Sequence, residues 1–340
     1  MREIPEPRLF ALSESQELAL SIAKSAGLTL APLEERRFES GEFKLRPLES
    51  VRDRAAFVVE SLAGDPVVPT TERLVRLLFL LSGLKDAGAL RRIALVPYLA
   101  FARKERRTQL RDPVNTRYVA QLLEAAGLDR LMALDVHNPA ALDNSFRIPV
   151  DHLSAMPMMA DHFARRLTTS PLTVVSPDVG GIKRAQLFRE LLQHRIGREV
   201  EMSFIEKRRS LDVVSSGSLV GAVSGRDVIV IDDLCASGGT LVRAAEICRR
   251  AGAAAVHAAV THVPLPAGLT AVLAAAQLAS VVVTDSVGPL SHTAHSGGET
   301  ARLTVLTIGP LFGQALRRVL DGKPLAPLLE RWPVAIDEEA

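Results

Sequence analysis

The chain has 340 residues, 47% of them hydrophobic, and 41 Lys and Arg stand against 39 Asp and Glu for a formal net charge of +2. That length predicts two domains of ordinary size with real apolar cores, and the near-neutral balance excludes a general nucleic-acid binder, whose surface carries a large cationic excess. Two cysteines are too few for a disulfide framework or a zinc centre, and the opening MREIPEPRLF lacks the apolar stretch of a secretion signal, so a reducing cytoplasm is expected.

In chain order, residues 55–60 read as a strand, 71–83 as a helix, 92–97 as a strand, 115–126 as a helix and 131–136 as a strand. The rhythm resumes with a helix at 156–167, strands at 172–176 and 200–205, and a helix at 183–193. A strand at 228–231, a helix at 241–251 and a strand at 254–261 follow. Residues 263–284 carry no charge and are long enough to span a bilayer, but Pro264, Pro266 and Gly268 break their start. They read as a buried Ala-rich helix followed by a strand at 280–284, with no membrane association. Alternating strands and helices predict an α/β fold with parallel sheets covered by helices. An internal repeat doubles it: Gly127 and Gly252 lie 125 positions apart, as do His137 and His262, each Gly closing a helix and each His ending a strand. Two similar domains are expected, 1–150 and 151–323, with a loosely held tail at 324–340.

The chemistry gathers at strand ends. The run Val228-Ile-Val-Ile-Asp-Asp-Leu-Cys-Ala-Ser-Gly-Gly-Thr-Leu241 is a buried strand, an acidic pair, and a tight loop opening a helix. Backbone N–H groups and the positive helix end suit a phosphate there, and Asp232 and Asp233 suit ribose hydroxyls or a metal-bound water. Asp178, in Ser176-Pro-Asp-Val-Gly-Gly181, stands past another strand, with a helix cap as its plain alternative. His137, beside Asp135, reads as a metal or phosphate ligand, whereas His262 reads as structural. The basic run Arg103-Lys-Glu-Arg-Arg107 suits phosphate oxygens. Lys207-Arg-Arg209 precedes a loop at 210–218 that can close over a triphosphate. No Gly-x-x-x-x-Gly-Lys-Ser/Thr sequence is present, so ATP would not use a P-loop.

Five separated motifs together resemble the ribose-phosphate diphosphokinase family, over nearly the whole chain. They are Arg37-Phe-Glu-Ser-Gly-Glu42, Val96-Pro-Tyr-Leu-Ala-Phe-Ala-Arg-Lys-Glu-Arg-Arg107, Asp135-Val-His137, Val175-Ser-Pro-Asp-Val-Gly-Gly181 with Lys183-Arg-Ala185, and Lys207-Arg-Arg209 before Asp232-Asp233 and Ser237-Gly-Gly-Thr240. The resemblance implies two phosphoribosyltransferase-like domains, a homo-oligomer (dimer or hexamer), Mg²⁺ as cofactor, and ATP and ribose 5-phosphate as substrates. The implied reaction passes the diphosphoryl group of ATP to the anomeric hydroxyl of ribose 5-phosphate for nucleotide biosynthesis. By motif position, Phe38, Ser40, Glu42, Arg103, Lys104 and His137 would bind ATP, and His137 and Asp178 the metal. Lys207 and Arg209 would be catalytic. Asp232, Asp233, Ala236, Ser237, Gly238, Gly239 and Thr240 would bind ribose 5-phosphate. The chain departs from the family at Ala236, where many members carry Asp, at Arg103-Lys-Glu105, at Ser40, and at Asp285-Ser-Val-Gly288. A non-catalytic regulatory homologue and a simple phosphoribosyltransferase remain the alternatives.

Overall fold

Short apolar runs become strands buried on both faces. Ala56, Phe57, Val58 and Val59 are fully buried, as are Leu131 to Leu134 and Val228 to Ile231 to within 1% exposure. Consecutive buried residues, rather than alternating ones, are what a parallel sheet covered on two sides demands. The computed structural model describes residues 6–206, 209–210, 213–214, 217–265, 269, 272, 278–288 and 302–330.

In chain order the strands are β1 (Arg8–Ala11), β2 (Leu33–Arg37), β3 (Phe43–Pro47), β4 (Ala55–Val59), β5 (Arg91–Val96), β6 (Arg130–Leu134), β7 (Val150–Leu153), β8 (Leu172–Ser176), β9 (Glu201–Glu206), β10 (Arg209–Ser210), β11 (Val213–Val214), β12 (Ser218–Val220), β13 (Asp227–Leu234), β14 (Ala255–His262), β15 (Ser280–Thr284) and β16 (Arg302–Leu306). The α-helices are α1 (Gln16–Ala26), α2 (Thr70–Asp86), α3 (Asn115–Ala125), α4 (Pro139–Ser145), α5 (Met156–Arg166), α6 (Ile182–Ile196), α7 (Gly239–Arg250), α8 (Gly309–Leu320) and α9 (Ala326–Glu330).

The chain divides into two units. The first holds a five-stranded sheet, β1-β4-β5-β6-β7, in which every pairing is parallel. The apolar faces of α2 and α3 pack on one side of it around Phe10, Val58, Val96 and Leu131. The hairpin β2–β3 stands apart as its own two-stranded sheet. The second unit holds the order β12-β9-β8-β13-β14-β15-β16, parallel except where β12 returns against β9. The expected fold class is thus the observed one.

The repeat is structural. Gly127 and Gly252, at φ 95° and 89°, close α3 and α7 in the left-handed conformation that glycine adopts freely. Their N–H groups donate to Glu124 and Arg249 carbonyls, and the next residues, Leu128 and Ala253, donate to those of Leu123 and Cys248. Each helix then feeds the strand beside β5 or β13.

Several boundaries differ from the sequence expectation. The first unit runs to Ser154, because β7 pairs with β6. Residues 307–328, expected with the second domain or in the tail, pack with the first unit, where α8 lies on α1. The Ser25 hydroxyl donates to the Pro310 carbonyl at 3.2 Å, and Leu328 of α9 is buried. The strand expected at 228–231 continues to Leu234, because β14 continues beside it and pairs Leu234 with His262. Residues 210–218, expected as a loop, contribute to the β10–β11 pair and to β12. In the 263–284 stretch, Leu269 and Val272 are helical and buried and β15 matches the expected strand; 266–268, 270–271 and 273–277 lie outside the described residues. Among the described residues no helix is long and apolar enough to cross a membrane.

Docking of α8 depends on a missing side chain. A Cβ on Gly313 would stand 2.5 Å from Ser25 Cβ and 2.7 Å from the Ile22 carbonyl oxygen. Gly313→Ala should therefore lower the unfolding free energy by about 1–3 kcal/mol in urea titrations, as overpacking does. An open helical glycine would instead gain roughly 1 kcal/mol from the same change, so a stabilised variant would contradict this packing.

Candidate active site

Strands β8 and β13 run side by side, Asp227 opposite Leu172 and Val230 opposite Val175, so both deliver their following residues to the carboxyl edge of the second sheet. Ligands of open α/β sheets bind at that edge. Past β8, Asp178 Oδ1 accepts the Gly181 N–H at 3.2 Å and caps the single turn that leads into α6. The capping role weighed for Asp178 is real, and it holds the residue at the strand edge. Gly181 keeps this turn tight, since a Cβ there would lie 2.7 Å from Ser176 Oγ.

The turn carries Arg184 over the end of β13. Its Nη1 donates to Asp232 Oδ1 at 3.2 Å, and its Nη2 meets Asp233 Oδ1 at 3.2 Å. The Asp233 N–H also donates to Asp232 Oδ1, at 2.9 Å. Burial, then the adjacent Asp233, push the Asp232 carboxyl from its ordinary 3.8 up to about 7, while Arg184 pulls it down. Removing water disfavours any charge, and a like charge beside it adds to that, so a cation is the natural third member. Arg184 lies within the Lys183-Arg-Ala185 motif, where the motif alone implies no role for it. The signal was available: adjacent acids in a buried strand need a cation.

After Leu234 the chain turns through Cys235, whose N–H donates to the His262 carbonyl at 2.8 Å. Burial first, then Asp232, push the Cys235 thiol up to about 11, which leaves it inert as a nucleophile. Gly238, at φ 79°, begins α7 without a side-chain cap. The N–H groups of that first turn therefore face the loop as donors, at the positive end of a twelve-residue helix. Ser237, Gly239 and Thr240 are exposed, Ala236 is half-buried and Gly238 buried. Asp178, Asp232, Asp233 and residues 236–240 thus share one edge of one sheet.

In the first unit, residues 97–114 follow β5 as 235–238 follow β13. This longer loop folds around Asp112, whose carboxylate accepts from Lys104, from Thr108 Oγ1 at 2.7 Å and from the Thr108 and Gln109 N–H groups at 2.9 and 3.0 Å. Lys104 and these donors hold the Asp112 carboxyl well below the usual range. Arg103, Arg106, Arg107 and Arg111 stay exposed around the loop, whereas Lys104 is committed to its interior. Next to it, past β6, Asp135 adopts φ 36° and His137 is exposed. The Asp135 N–H donates to the Leu153 carbonyl at 2.9 Å, and the Val136 N–H to His152 Nε2 at 3.0 Å. Burial lowers the pKa of His152, keeping the ring neutral and able to accept. His152 is the second residue that sequence reading missed; a lone histidine in a strand carries no distinguishing signal.

Phe38, Ser40 and Glu42 form the tip of the β2–β3 hairpin. The Phe38 N–H donates to the Glu42 carbonyl at 2.8 Å, Ser40 Oγ donates to Glu42 Oε2 at 2.9 Å, and Gly41 turns at φ 86°. Phe38 is 39% exposed, with the Arg36 guanidinium carbon 4.9 Å from its ring centroid. Of the remaining candidates, Lys207 lies outside the described residues, and for Arg209 only the backbone of β10 is described.

Comparison with known proteins follows these divisions. A family model described as the N-terminal domain of ribose phosphate pyrophosphokinase matches residues 7–127, and one described as a phosphoribosyl transferase domain matches 154–274. The chain is 34% identical over 327 residues to ribose-phosphate pyrophosphokinase 1 of Streptococcus pneumoniae, covering 95% of this chain and 97% of that one. It is 33% identical over the same length to the protein of that name from Streptococcus pyogenes, with the same coverage. The crystal structure of phosphoribosylpyrophosphate synthetase from Mycobacterium smegmatis matches with a TM-score of 0.83 at 31% identity, over 93% of this chain and 99% of that chain.

The raised carboxyl makes a test of the acidic pair. With Asp232 binding its proton more tightly in the folded state, its contribution to stability is full below the ordinary 3.8 and is lost as pH rises towards about 7. Asp232→Asn should remove this fall. Urea unfolding across that pH range should show the variant gaining on the parent as pH rises, and parallel curves would contradict the assignment.

Proposed function

The chain belongs to the ribose-phosphate pyrophosphokinase family, and on that premise we propose that it transfers the diphosphoryl group of ATP to the anomeric hydroxyl of ribose 5-phosphate, releasing AMP. The observation that carries this reading is the edge of the second sheet. There an acidic pair stands immediately before an uncapped helix start, which suits the two ends of a sugar phosphate.

Asp232 and Asp233 accept from the ribose hydroxyls, with Arg184 keeping both carboxylates in place. The first-turn N–H groups of α7, with Ser237 and Thr240, hold the 5-phosphate, and Ala236, Gly238 and Gly239 let the backbone approach it. In the first unit, Phe38 stacks on the base, with Ser40 and Glu42 at its edge. Arg103 pairs with phosphate oxygens. Lys104 does so on leaving Asp112. Lys207 and Arg209 neutralise charge on the group in transfer. In-line transfer at phosphorus needs position and charge neutralisation more than covalent help, so this division of roles is sufficient.

Magnesium fits the residues present. Asp178 places a carboxylate at the carboxyl edge of the second sheet, and magnesium commonly binds through one or two carboxylates, substrate phosphates and water. Asp178 in the second unit and His137 in the first are each proposed as ligands. When bound, the ion offsets charge on phosphate oxygens. We also propose a homo-oligomer in the cytoplasm, where buried free thiols at Cys235 and Cys248 are at home.

Phosphorus NMR of the protein with Mg-ATP and ribose 5-phosphate should show AMP and phosphoribosyl pyrophosphate accumulating together. Neither product, across several nucleotide donors and with or without added phosphate, would overturn the reading. Lys207→Ala should lower turnover by roughly a hundredfold or more, about 3 kcal/mol of transition-state stabilisation, with ribose 5-phosphate affinity by calorimetry little changed. Near-normal turnover would remove Lys207 from the mechanism.

A further inference from the structure

The hairpin that carries Phe38 has little backbone support. Among the described residues β2 and β3 pair only with each other, outside the five-stranded sheet, and an isolated two-stranded ribbon is marginally stable in water. Its position must come from side chains.

Leu33 and Leu45 rest against the core and Phe43 lies 5.4 Å from the Phe79 ring of α2; to these contacts, which leave direction loosely set, charged side chains add fixed geometry, and one of them is buried. Arg76 of α2 is 6% exposed. Its Nη1 donates to Glu14 Oε1 at 2.7 Å, in the turn after β1, and its Nη2 donates to Glu35 of β2. One guanidinium therefore ties the hairpin to the end of the first strand and to the helix at once. A second, more exposed pair, Arg37 Nη2 to Glu72 Oε2 at 3.0 Å, joins the residue beside Phe38 to the first turn of α2. The planar fork of arginine suits this two-way contact, since it holds two carboxylates in fixed directions. The buried pair carries the weight, because partly desolvated charges are screened far less than exposed ones.

We propose that Arg76 is a positioning residue for nucleotide recognition: by bridging Glu35 to Glu14, it fixes where the hairpin presents Phe38 to the base. The inference rests on the reading of residues 38–42 as the base site. Arg76 touches no substrate, and its influence passes through β2 to the tip three residues from Glu35. A shift of the tip weakens base stacking while leaving the ribose 5-phosphate site, in the other unit, as it was.

Steady-state kinetics of the full-length protein tests this, with ATP and GTP as alternative donors. Arg76→Met should raise the KM for ATP by roughly tenfold or more, a loss read as nucleotide binding. The KM for ribose 5-phosphate should stay within about twofold, and the preference for ATP over GTP in kcat/KM should fall. Arg76→Lys, which keeps the charge without the fork, should lie between the two. Arg76→Met leaves Glu14 and Glu35 unpaired and can fail to fold. Glu35→Gln removes only the charged link to the hairpin, keeps the Arg76–Glu14 pair, and should show the same loss of ATP affinity and donor preference. Phe38→Ala separates the two claims. If Phe38→Ala raises the KM for ATP but Glu35→Gln and the Arg76 variants leave KM and donor preference unchanged, or lower kcat for both donors equally, the positioning role is overturned while the base-site reading stands. If Phe38→Ala has no effect on ATP, the base-site reading fails and this inference fails with it.

Discussion

Two carboxylates on adjacent residues of a buried strand are unstable neighbours, and the second unit is arranged around their relief. Arg184 supplies the relief, reaching Asp232 and Asp233 at 3.2 Å each. It can do so only because α6 starts close to the end of β13. That start is close because the Gly180-Gly181 turn lacks side chains and because Asp178 caps it. The parallel pairing of β8 with β13 then sets all three acids at one edge. The same edge opens the uncapped helix α7, so the negative half of the site and its anion-binding half are neighbours along one chain segment. A sugar phosphate, with hydroxyls at one end and a dianion at the other, matches that polarity.

The repeat gives one architecture two different carboxyl edges. Helix, left-handed glycine and strand recur with the same offset and the same capping hydrogen bonds at Gly127 and Gly252. What differs is the loop entering each helix. After β13 it is four residues of mostly small side chains, tight enough for backbone to meet a phosphate. After β5 it is a long cationic segment closed on Asp112, with arginines displayed outside. Sheet and helices stay the same while the loops at the carboxyl edge carry the difference, as expected where rigid elements position variable loops.

Much of this was legible in the sequence, for physical reasons. Strands buried on both faces leave unbroken apolar runs, so β4, β6, β8 and β13 could be read, and glycine closure made the repeat visible. The acidic pair and the Gly-Gly-Thr loop could be read because few structures other than a ligand site need them. The β2–β3 hairpin could not be drawn as strands. Leu33-Glu-Glu-Arg-Arg37 is mostly charged, with Leu33 its one apolar contact to the core, and ion pairs with α2 supply the rest of its support. Nor could the home of α8. Its apolar face is ordinary, and it docks on α1 through Gly309 and Gly313 against Ser21 and Ser25, a contact between residues nearly three hundred positions apart. The Lys104–Asp112 pair was not legible either: a cationic run suggests phosphate, and nothing in it marks which member meets an acid eight positions on.

In the proposed transfer the sugar's own anomeric oxygen attacks phosphorus while the loop at 236–240 holds the 5-phosphate. Ribose 5-phosphate carrying ¹⁸O at the anomeric position tests it most directly, with Mg-ATP as donor and products followed by mass spectrometry on a timescale shorter than solvent exchange. Attack by that oxygen retains the label in phosphoribosyl pyrophosphate, as the oxygen that bridges C1 and the adjacent phosphorus, with none in AMP. Loss of the label from the sugar product would mean that the carbon–oxygen bond breaks, as in a phosphoribosyltransferase, and would contradict the assignment of this chain's second unit as the acceptor side of a diphosphoryl transfer.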